Sequence, residues 1–306
     1  MTVRTVAGRD VRLTSLDRVL FPEVGVTKGE LLAYVDDHAE LLLRDLRGRP
    51  VALKRFPSGL SGEGFFQKSR PEHAPDWLGA VDVPLRQGGV KTHAVVEDVA
   101  DLLFLTNHGT IELHPWLSTA AALEEPDTVL FDLDPPEGSD VAEVRWATRA
   151  VRGLLEGELG IATRCKTSGS KGFHVSFPLT GPRTFEETGA FAGGVAAVLA
   201  ARHPDRLTTE TRTAARDGRV LIDVGRNAYG QTAVAPYSVR ARPTAPVATP
   251  IAWDELSRVE PRRYTVTNLR RRLGQRDDPW RGDGVSAVDL ADLAAPLEGL
   301  RREAGV

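Results

Sequence analysis

Apolar residues recur at helical spacing across residues 27–43, where Leu31, Leu32, Tyr34, Val35, Ala39, Leu42 and Leu43 stand among acidic positions. That period predicts an amphipathic helix. Thr27 followed by Glu30 reads as a capping box at its start, hydroxyl and carboxylate each satisfying backbone N–H groups. Residues 51–57, VALKRFP, read as a strand, and the glycine-rich 58–69 as an exposed loop. Between 102 and 113 the pattern is mixed and defines no element. The middle of the chain alternates more clearly. DTVLFDLD (127–134) predicts a short strand ended by Pro135 and Pro136, which cannot continue a ladder. Val141, Val144, Thr148, Val151 and Leu155 predict a helix over 141–157. Residues 161–179 read as strand, glycine–serine turn, strand. Thr184 and Glu187 form a second capping box that opens a helix reaching Ala201. Residues 218–225 and 232–240 read as further strands, and the Pro-rich 241–250 as a surface connection to a helical, arginine-bearing tail. The alternation predicts a mixed α/β fold.

Composition narrows the class. The 306 residues suffice for one large domain or two ordinary ones, and 41% hydrophobic with 26% charged residues excludes wholesale disorder. Lys+Arg 39 against Asp+Glu 42 leaves a net charge of −3, which excludes a histone-like polycation but not a local basic groove. No apolar run reaches the roughly 18 residues of a spanning helix, and MTVRTVAGRD lacks a signal-peptide core. A cytoplasmic protein without membrane contact is expected. The lone Cys165 can form neither an internal disulfide nor a thiolate metal cluster.

Four groups of residues carry chemistry. Asp132 and Asp134 are two apart in a strand pattern, so both emerge on one face while Phe131 and Leu133 take the other. Like charges that close repel unless neutralised, and a hard cation such as Mg²⁺ or Mn²⁺ prefers oxygen ligands. The bland reading is a solvated pair at a strand end. Asp223 also ends a short apolar run, after Leu221 and Ile222; three carboxylates from two strands suit two-metal phosphoryl transfer. An aspartate there could instead bond its own backbone at a turn. The loop Thr167–Ser168–Gly169–Ser170–Lys171–Gly172–Phe173–His174 offers converging N–H groups, two hydroxyls, an ammonium and an imidazole to an anion, without Walker A spacing. Between 202 and 242 stand eight arginines (202, 206, 212, 216, 219, 226, 240, 242) and four acids (Asp205, Glu210, Asp217, Asp223), a local balance of 8 − 4 = +4. Finally, Lys54, Arg55, Phe65, Phe66, Lys68 and Arg70 interleave cations with an aromatic pair. Exposed rings there would stack on nucleobases; buried ones would simply fill a core.

In order along the chain, LDRVLFP (16–22), TKGE (27–30), LKRFPSGLSGEGFFQK (53–68), IELHP (111–115), FDLDP (131–135), TSGSKGFH (167–174), IDVGRN (222–227) and APYSVR (235–240) resemble the polymerase domain of bacterial DNA ligase D, of the archaeo-eukaryotic primase superfamily. The resemblance is strongest over 12–242. It implies a primase-polymerase fold, central β-sheets flanked by helices around a catalytic cleft, with 1–306 as one catalytic domain and 243–306 its C-terminal helical tail. It further implies a template-dependent nucleotidyltransferase of non-homologous end joining that fills short gaps, favours ribonucleotides, and uses two Mn²⁺ or Mg²⁺ ions with NTP or dNTP.

By matching motif, the resemblance assigns Asp132, Asp134 and Asp223 to the metals. Ser168, Ser170, Lys171 and His174 go to the triphosphate, with Arg216, Arg240, Lys54 and Arg226 nearby. It assigns His114 to the sugar or triphosphate of the incoming nucleotide, Lys28 with Arg18 to a downstream 5′-phosphate, and Phe65, Phe66 and Lys68 to DNA at the break. Two departures stand out: Arg18 replaces the family's usual lysine, and Arg226 stands where glutamine is expected. Expected partners are gapped or broken duplex DNA, a Ku-type end binder and a separate ligase, since 306 residues leave no room for fused ligase and nuclease modules. Rival readings are a stand-alone gap-filling enzyme of excision repair, a metal-dependent glycosyltransferase built on the same D-x-D, and a non-catalytic end-bridging protein.

Overall fold

The computed structural model describes residues 2–282 and 284–306. The chain falls into two compact units. The first holds the chain up to Leu123 together with Thr232–Thr249 and Tyr264–Gln275; the second holds Glu124–Gln231, Pro250–Arg263 and Arg276–Val306.

The first unit opens with the hairpin β1 (Thr2–Val6) and β2 (Arg9–Leu13) and the short pair β3 (Val19–Phe21) and β4 (Val26–Thr27). Helices α1 (Lys28–Asp37) and α2 (Ala39–Leu46) follow, then β5 (Arg49–Arg55), β6 (Phe65–Gln67), β7 (Gly79–Pro84), β8 (Val90–Val96), α3 (Val99–Asn107) and β9 (Thr110–Pro115). The predicted capping box forms: Glu30 N–H donates to Thr27 Oγ1 at 3.2 Å, and Thr27 N–H to Glu30 Oε2 at 2.7 Å. The helix predicted over 27–43 is instead two helices. His38 leaves helical geometry between them (φ −114°, ψ 18°), its ring Nδ1 2.8 Å from the Tyr34 carbonyl. Strand β5 organises the sheet. It pairs antiparallel with β9 along one edge, and along the other with β8 through 49–51 and β6 through 53–55. Leu31, Leu42, Leu43, Leu46, Leu53, Leu102, Leu103 and Leu105 are buried together in its core.

Two further expectations fail in this unit. Residues 232–240 form no strand. They run beside β9 with isolated bonds (Ala235 N–H to the Leu113 carbonyl, 2.9 Å) because Pro236 lacks a donor and Tyr237 sits at φ 63°. The stretch 245–249 is no surface connection: Ala245, Val247, Ala248 and Thr249 are fully buried. Prolines there announced irregular backbone, but the small apolar residues between them take that backbone into the core.

The second unit contains β10 (Thr128–Asp134), α4 (Val141–Arg152), β11 (Arg164–Thr167), β12 (Phe173–Pro178), α5 (Phe185–Arg202), β13 (Leu207–Thr208), β14 (Val220–Asp223) and β15 (Pro250–Ile251). The chain returns to the first unit for α6 (Leu269–Gln275) and ends in the second with α7 (Ala294–Ala304), so the expected helical tail is helical only in part. The six strands run in the order β13-β14-β10-β12-β11-β15, antiparallel except for β13 with β14. Alternation decides the two faces. Phe131, Leu133, Phe173, Val175, Phe177 and Ile222 are buried, and Phe177 meets Phe191 of α5 edge to face. The second capping box, Thr184 with Glu187, also forms.

Strand β14 reaches β10 only at residues 132–134. Upstream, the side chain of Asn227 substitutes for a strand: Oδ1 accepts from Leu130 N–H at 2.9 Å, and Nδ2 donates to the Leu130 carbonyl at 2.7 Å. The fully buried Asn227 thereby satisfies backbone groups that would otherwise be stranded in the core.

Candidate active site

The second unit carries a single rung of polar side chains across four strands. Lys166 on β11 stands opposite His174 on β12, His174 opposite Asp132 on β10, and Asp132 opposite Asp223 on β14. Directly opposed residues of antiparallel strands share a face, so ammonium, imidazole and two carboxylates line up on one side of the sheet. Asp134 lies two residues along β10 on that same face. The three aspartates thus share one face of two adjacent strands, Asp132 and Asp223 in direct register.

Each carboxylate already meets cations. His174 Nε2 lies 3.3 Å from Asp132 Oδ1, and Arg226 reaches Asp132 at 3.9 Å and Asp223 at 3.6 Å. Arg216 pairs with Asp134 at 2.8 Å. Burial alone would raise the Asp132 carboxyl; the charges of His174, Arg226 and Lys166 with the His174 hydrogen bond outweigh it and hold it at about 2. The other Asp223 oxygen, Oδ1, accepts from Gly225 N–H at 2.8 Å, so this residue both closes a turn and faces Asp132.

The donors fit a hard divalent cation in kind, because all three are carboxylate oxygens on one face. Among the described residues no three His, Cys, Asp or Glu side chains yet converge as ligands. Binding would require the carboxylate oxygens to turn from Arg216 and Arg226 to the ion.

The loop after β11 packs against β10 itself. A Cβ on Gly172 would lie 1.8 Å from the Leu133 carbonyl oxygen, so only glycine permits this approach. Ser168 staples the loop: its Oγ accepts from the N–H groups of Ser170 (3.2 Å) and Gly172 (3.1 Å). Two backbone donors expected to face an anion therefore serve the loop's own structure, leaving the half-exposed Lys171 as its cationic donor. Lys171 pairs with Glu137 at 3.2 Å, and Arg262 donates to the Ser170 carbonyl at 2.9 Å.

The arginine-rich segment divides. Arg202 pairs with Glu158, and Arg206 pairs with Glu143 while stacking 3.5 Å from the Trp146 ring centre. Arg219 donates to the carbonyls of Arg216, Pro204 and Ala215. These three are structural; Arg216 and Arg226 are the ones on the aspartates. The Cys165 thiol is buried and its pKa pushed far up by that burial, so it offers no nucleophile.

The first unit holds a second polar row. Phe66 on β6 stands opposite Lys54 on β5, and Lys54 opposite Glu112 on β9, with His114 on the same face. Phe65 and Phe66 are 47% and 56% exposed and so are not core residues. Lys54 Nζ lies 5.4 Å from the Phe66 ring centre, Arg55 lies 5.5 Å from that of Phe65, and Phe66 meets His114 edge to face at 5.2 Å. Lys68, on the same strand-edge loop, is exposed. Lys28 opens α1 almost buried, with Nζ 3.3 Å from Thr14 Oγ1; burial and the Arg18 charge lower its pKa to about 8. Arg18 is exposed and donates to the Pro57 carbonyl at 2.7 Å, while its own carbonyl accepts from Lys28 N–H at 2.8 Å.

Lys166 and Glu112 escaped the sequence reading. Both sit at inward positions of strands, where a charge 2% or 1% exposed signals a partnered group. Lysine in RCKT and glutamate in IELHP were the visible clues.

Similarity to known proteins covers most of the chain. The family described as LigD, primase-polymerase domain, matches residues 27–280. The multifunctional non-homologous end joining protein LigD of Pseudomonas aeruginosa is 35% identical over 273 residues, covering 88% of this chain and 32% of that protein. Its counterpart from Mycolicibacterium smegmatis is 32% identical over 290 residues, covering 94% and 36%. The bifunctional LigD of Bacillus subtilis is 31% identical over 272 residues, covering 88% and 43%. The chain thus spans roughly a third to two fifths of the length of these relatives. The solved polymerase domain from Mycobacterium tuberculosis ligase D in complex with DNA superposes with a TM-score of 0.82 at 31% identity, covering 90% of this chain and 98% of that one.

Proposed function

The chain belongs to the LigD primase-polymerase domain family, a nucleotidyltransferase family, and from that premise we propose that it fills short gaps and extends ends at broken DNA during non-homologous end joining. The observation that carries this reading is the opposition of Asp132 and Asp223 with Asp134 beside them on one sheet face. Both units together are proposed to form one catalytic domain. Membership of this family sets aside the nucleotide-sugar reading of the D-x-D motif.

Asp132, Asp134 and Asp223 would hold two Mn²⁺ or Mg²⁺ ions. When bound, such ions lower the pKa of the attacking oxygen and offset charge on the leaving phosphate. The remaining chemistry belongs to the chain. His174 beside Asp132, with the charges of Arg226 and of Lys166 beyond His174, keeps its carboxyl ionised at any physiological pH. Lys171, Ser170, Arg216 and Arg226 supply donors for the triphosphate, with Ser168 holding their loop in shape. Lys54, Arg240 and the His114 ring form a further polar group for the nucleotide. No protein nucleophile is required.

Phe65 and Phe66, exposed and flanked by Lys54, Arg55 and Lys68, suit stacking on unpaired bases. Arg18 and Lys28 suit a 5′-phosphate, although Arg18 presents a planar fork rather than a point charge. NTP and dNTP are both proposed substrates, with ribonucleotides preferred. The filled nick would pass to a DNA ligase, and a Ku-type protein would hold the ends.

The test is primer extension on gapped duplex, with and without a downstream 5′-phosphate, using labelled ribo- or deoxyribonucleotides with Mn²⁺ or Mg²⁺. Short gap-limited extension is expected, stimulated by the 5′-phosphate. A wild-type protein that binds the duplex but adds no nucleotide would instead be an end-bridging scaffold.

A further inference from the structure

Glu112 is a buried carboxylate of the first unit, and its motif does not explain why it is there. It is 1% exposed. Its Oε2 lies 2.9 Å from His114 Nε2 and 2.8 Å from Arg240 Nε; its Oε1 accepts from Ala241 N–H at 3.0 Å and lies 3.5 Å from Lys54 Nζ. One acid thus ties together a lysine from β5, a histidine from β9 and an arginine from the segment 232–249.

A buried carboxylate so expensive to desolvate stays in a fold only when its partners repay it, and its partners here are the three groups proposed to meet the nucleotide. We infer that Glu112 is the positioning residue of the nucleotide site: it fixes the ring of His114 and holds Lys54 and Arg240 around it. The inference rests on the nucleotide-binding reading of those three side chains.

The geometry has a chemical consequence. A carboxylate oxygen only accepts, so the ring nitrogen facing it, Nε2, carries the proton. In the neutral ring Nδ1 is then an acceptor. Burial drives His114 toward that neutral form, against the pull of Glu112 and helped by the charges of Arg240 and Lys54. A ring held this way offers a lone pair, which suits a hydroxyl donor better than a phosphate oxygen. Without Glu112 the ring is free to flip and present N–H instead, and Lys54 and Arg240 lose their common counter-charge.

The experiment has three parts. Nitrogen-15 spectra of the histidine rings in the wild-type protein should show His114 as the Nε2–H tautomer; an Nδ1–H tautomer overturns the inference without any variant being made. Glu112→Gln, of the same shape but without the charge that Lys54 and Arg240 share, should remain folded by circular dichroism and raise the nucleotide KM about tenfold with a smaller change in kcat. A folded Glu112→Gln protein with unchanged KM also overturns it. Lys54→Met and His114→Asn serve as the control: if they leave nucleotide affinity intact, the nucleotide-site reading itself is wrong; if they weaken it while Glu112→Gln does not, only the role of Glu112 falls.

Discussion

Asp132 and Asp223, ninety-one positions apart, stand directly opposite each other on β10 and β14. Two carboxylates on one rung repel, and the protein meets that repulsion with His174 on one side and Arg226 over both. Their removal should be tolerated by the fold and not by the chemistry. Asp132→Ala or Asp223→Ala is expected to lower kcat by about a thousandfold or more, matching several kcal/mol of lost charge stabilisation. Melting temperature should change little. Near-wild-type extension by either variant would remove these residues from the mechanism.

Arg226 sits over the same pair, so a divalent ion must take carboxylate oxygens from it. Arg226→Gln, which installs the expected family residue, should tighten Mn²⁺ binding by about three- to tenfold. Electron paramagnetic resonance of free Mn²⁺ during titration reads this directly. Equal affinity would mean that the guanidinium does not compete with the ion.

Gly172 is where the loop after β11 touches the Leu133 carbonyl, between the two aspartates of β10. Gly172→Ala has to push backbone from backbone. We expect destabilisation of about 1–3 kcal/mol, with β10 displaced and metal affinity reduced. Thermal melts of the variant against wild type, with and without Mn²⁺, test both effects.

Lys28 gives a pH signature. Its ammonium is held down to about 8 by burial and by Arg18, so charge is full below that value and is lost as pH rises through it. The 5′-phosphate keeps its second charge throughout, since that group titrates near about 6. Preference for 5′-phosphorylated over unphosphorylated gapped duplex should therefore hold steady to pH 7.5 or so, then fall by up to about tenfold per unit above 8 until the raised pKa of the complex is reached. The same depression means that folding stability rises with pH between about 8 and the ordinary lysine value of 10.5, where the unfolded chain holds the extra proton. A phosphate preference that stays constant from pH 7 to 9.5 would exclude Lys28 as its reader.

The aspartates illustrate how much was legible beforehand. Alternation along 128–134 put Asp132 and Asp134 on one face and Phe131 and Leu133 on the other, as found. Both capping boxes were readable because their partners lie three residues apart. The helix break at His38 was not, since the apolar period runs through it unbroken. Nor did the prolines of 241–250 reveal that 245–249 is buried, because exposure depends on what packs over a segment.

Arginine content was legible in number and not in use: Arg202, Arg206 and Arg219 turned out to serve helix and loop partners, while Arg216 and Arg226 turned to the aspartates. The chain alone determined what depends on neighbours within a few residues: strand parity, helix starts, the glycine-bearing turn and the ordered motifs. Only the folded sheet decided that Lys166, His174, Asp132 and Asp223 share one rung, and that Phe66, Lys54 and Glu112 share another. Register between distant strands is set by the whole set of ladders and packed faces at once, and no local period along the chain contains it.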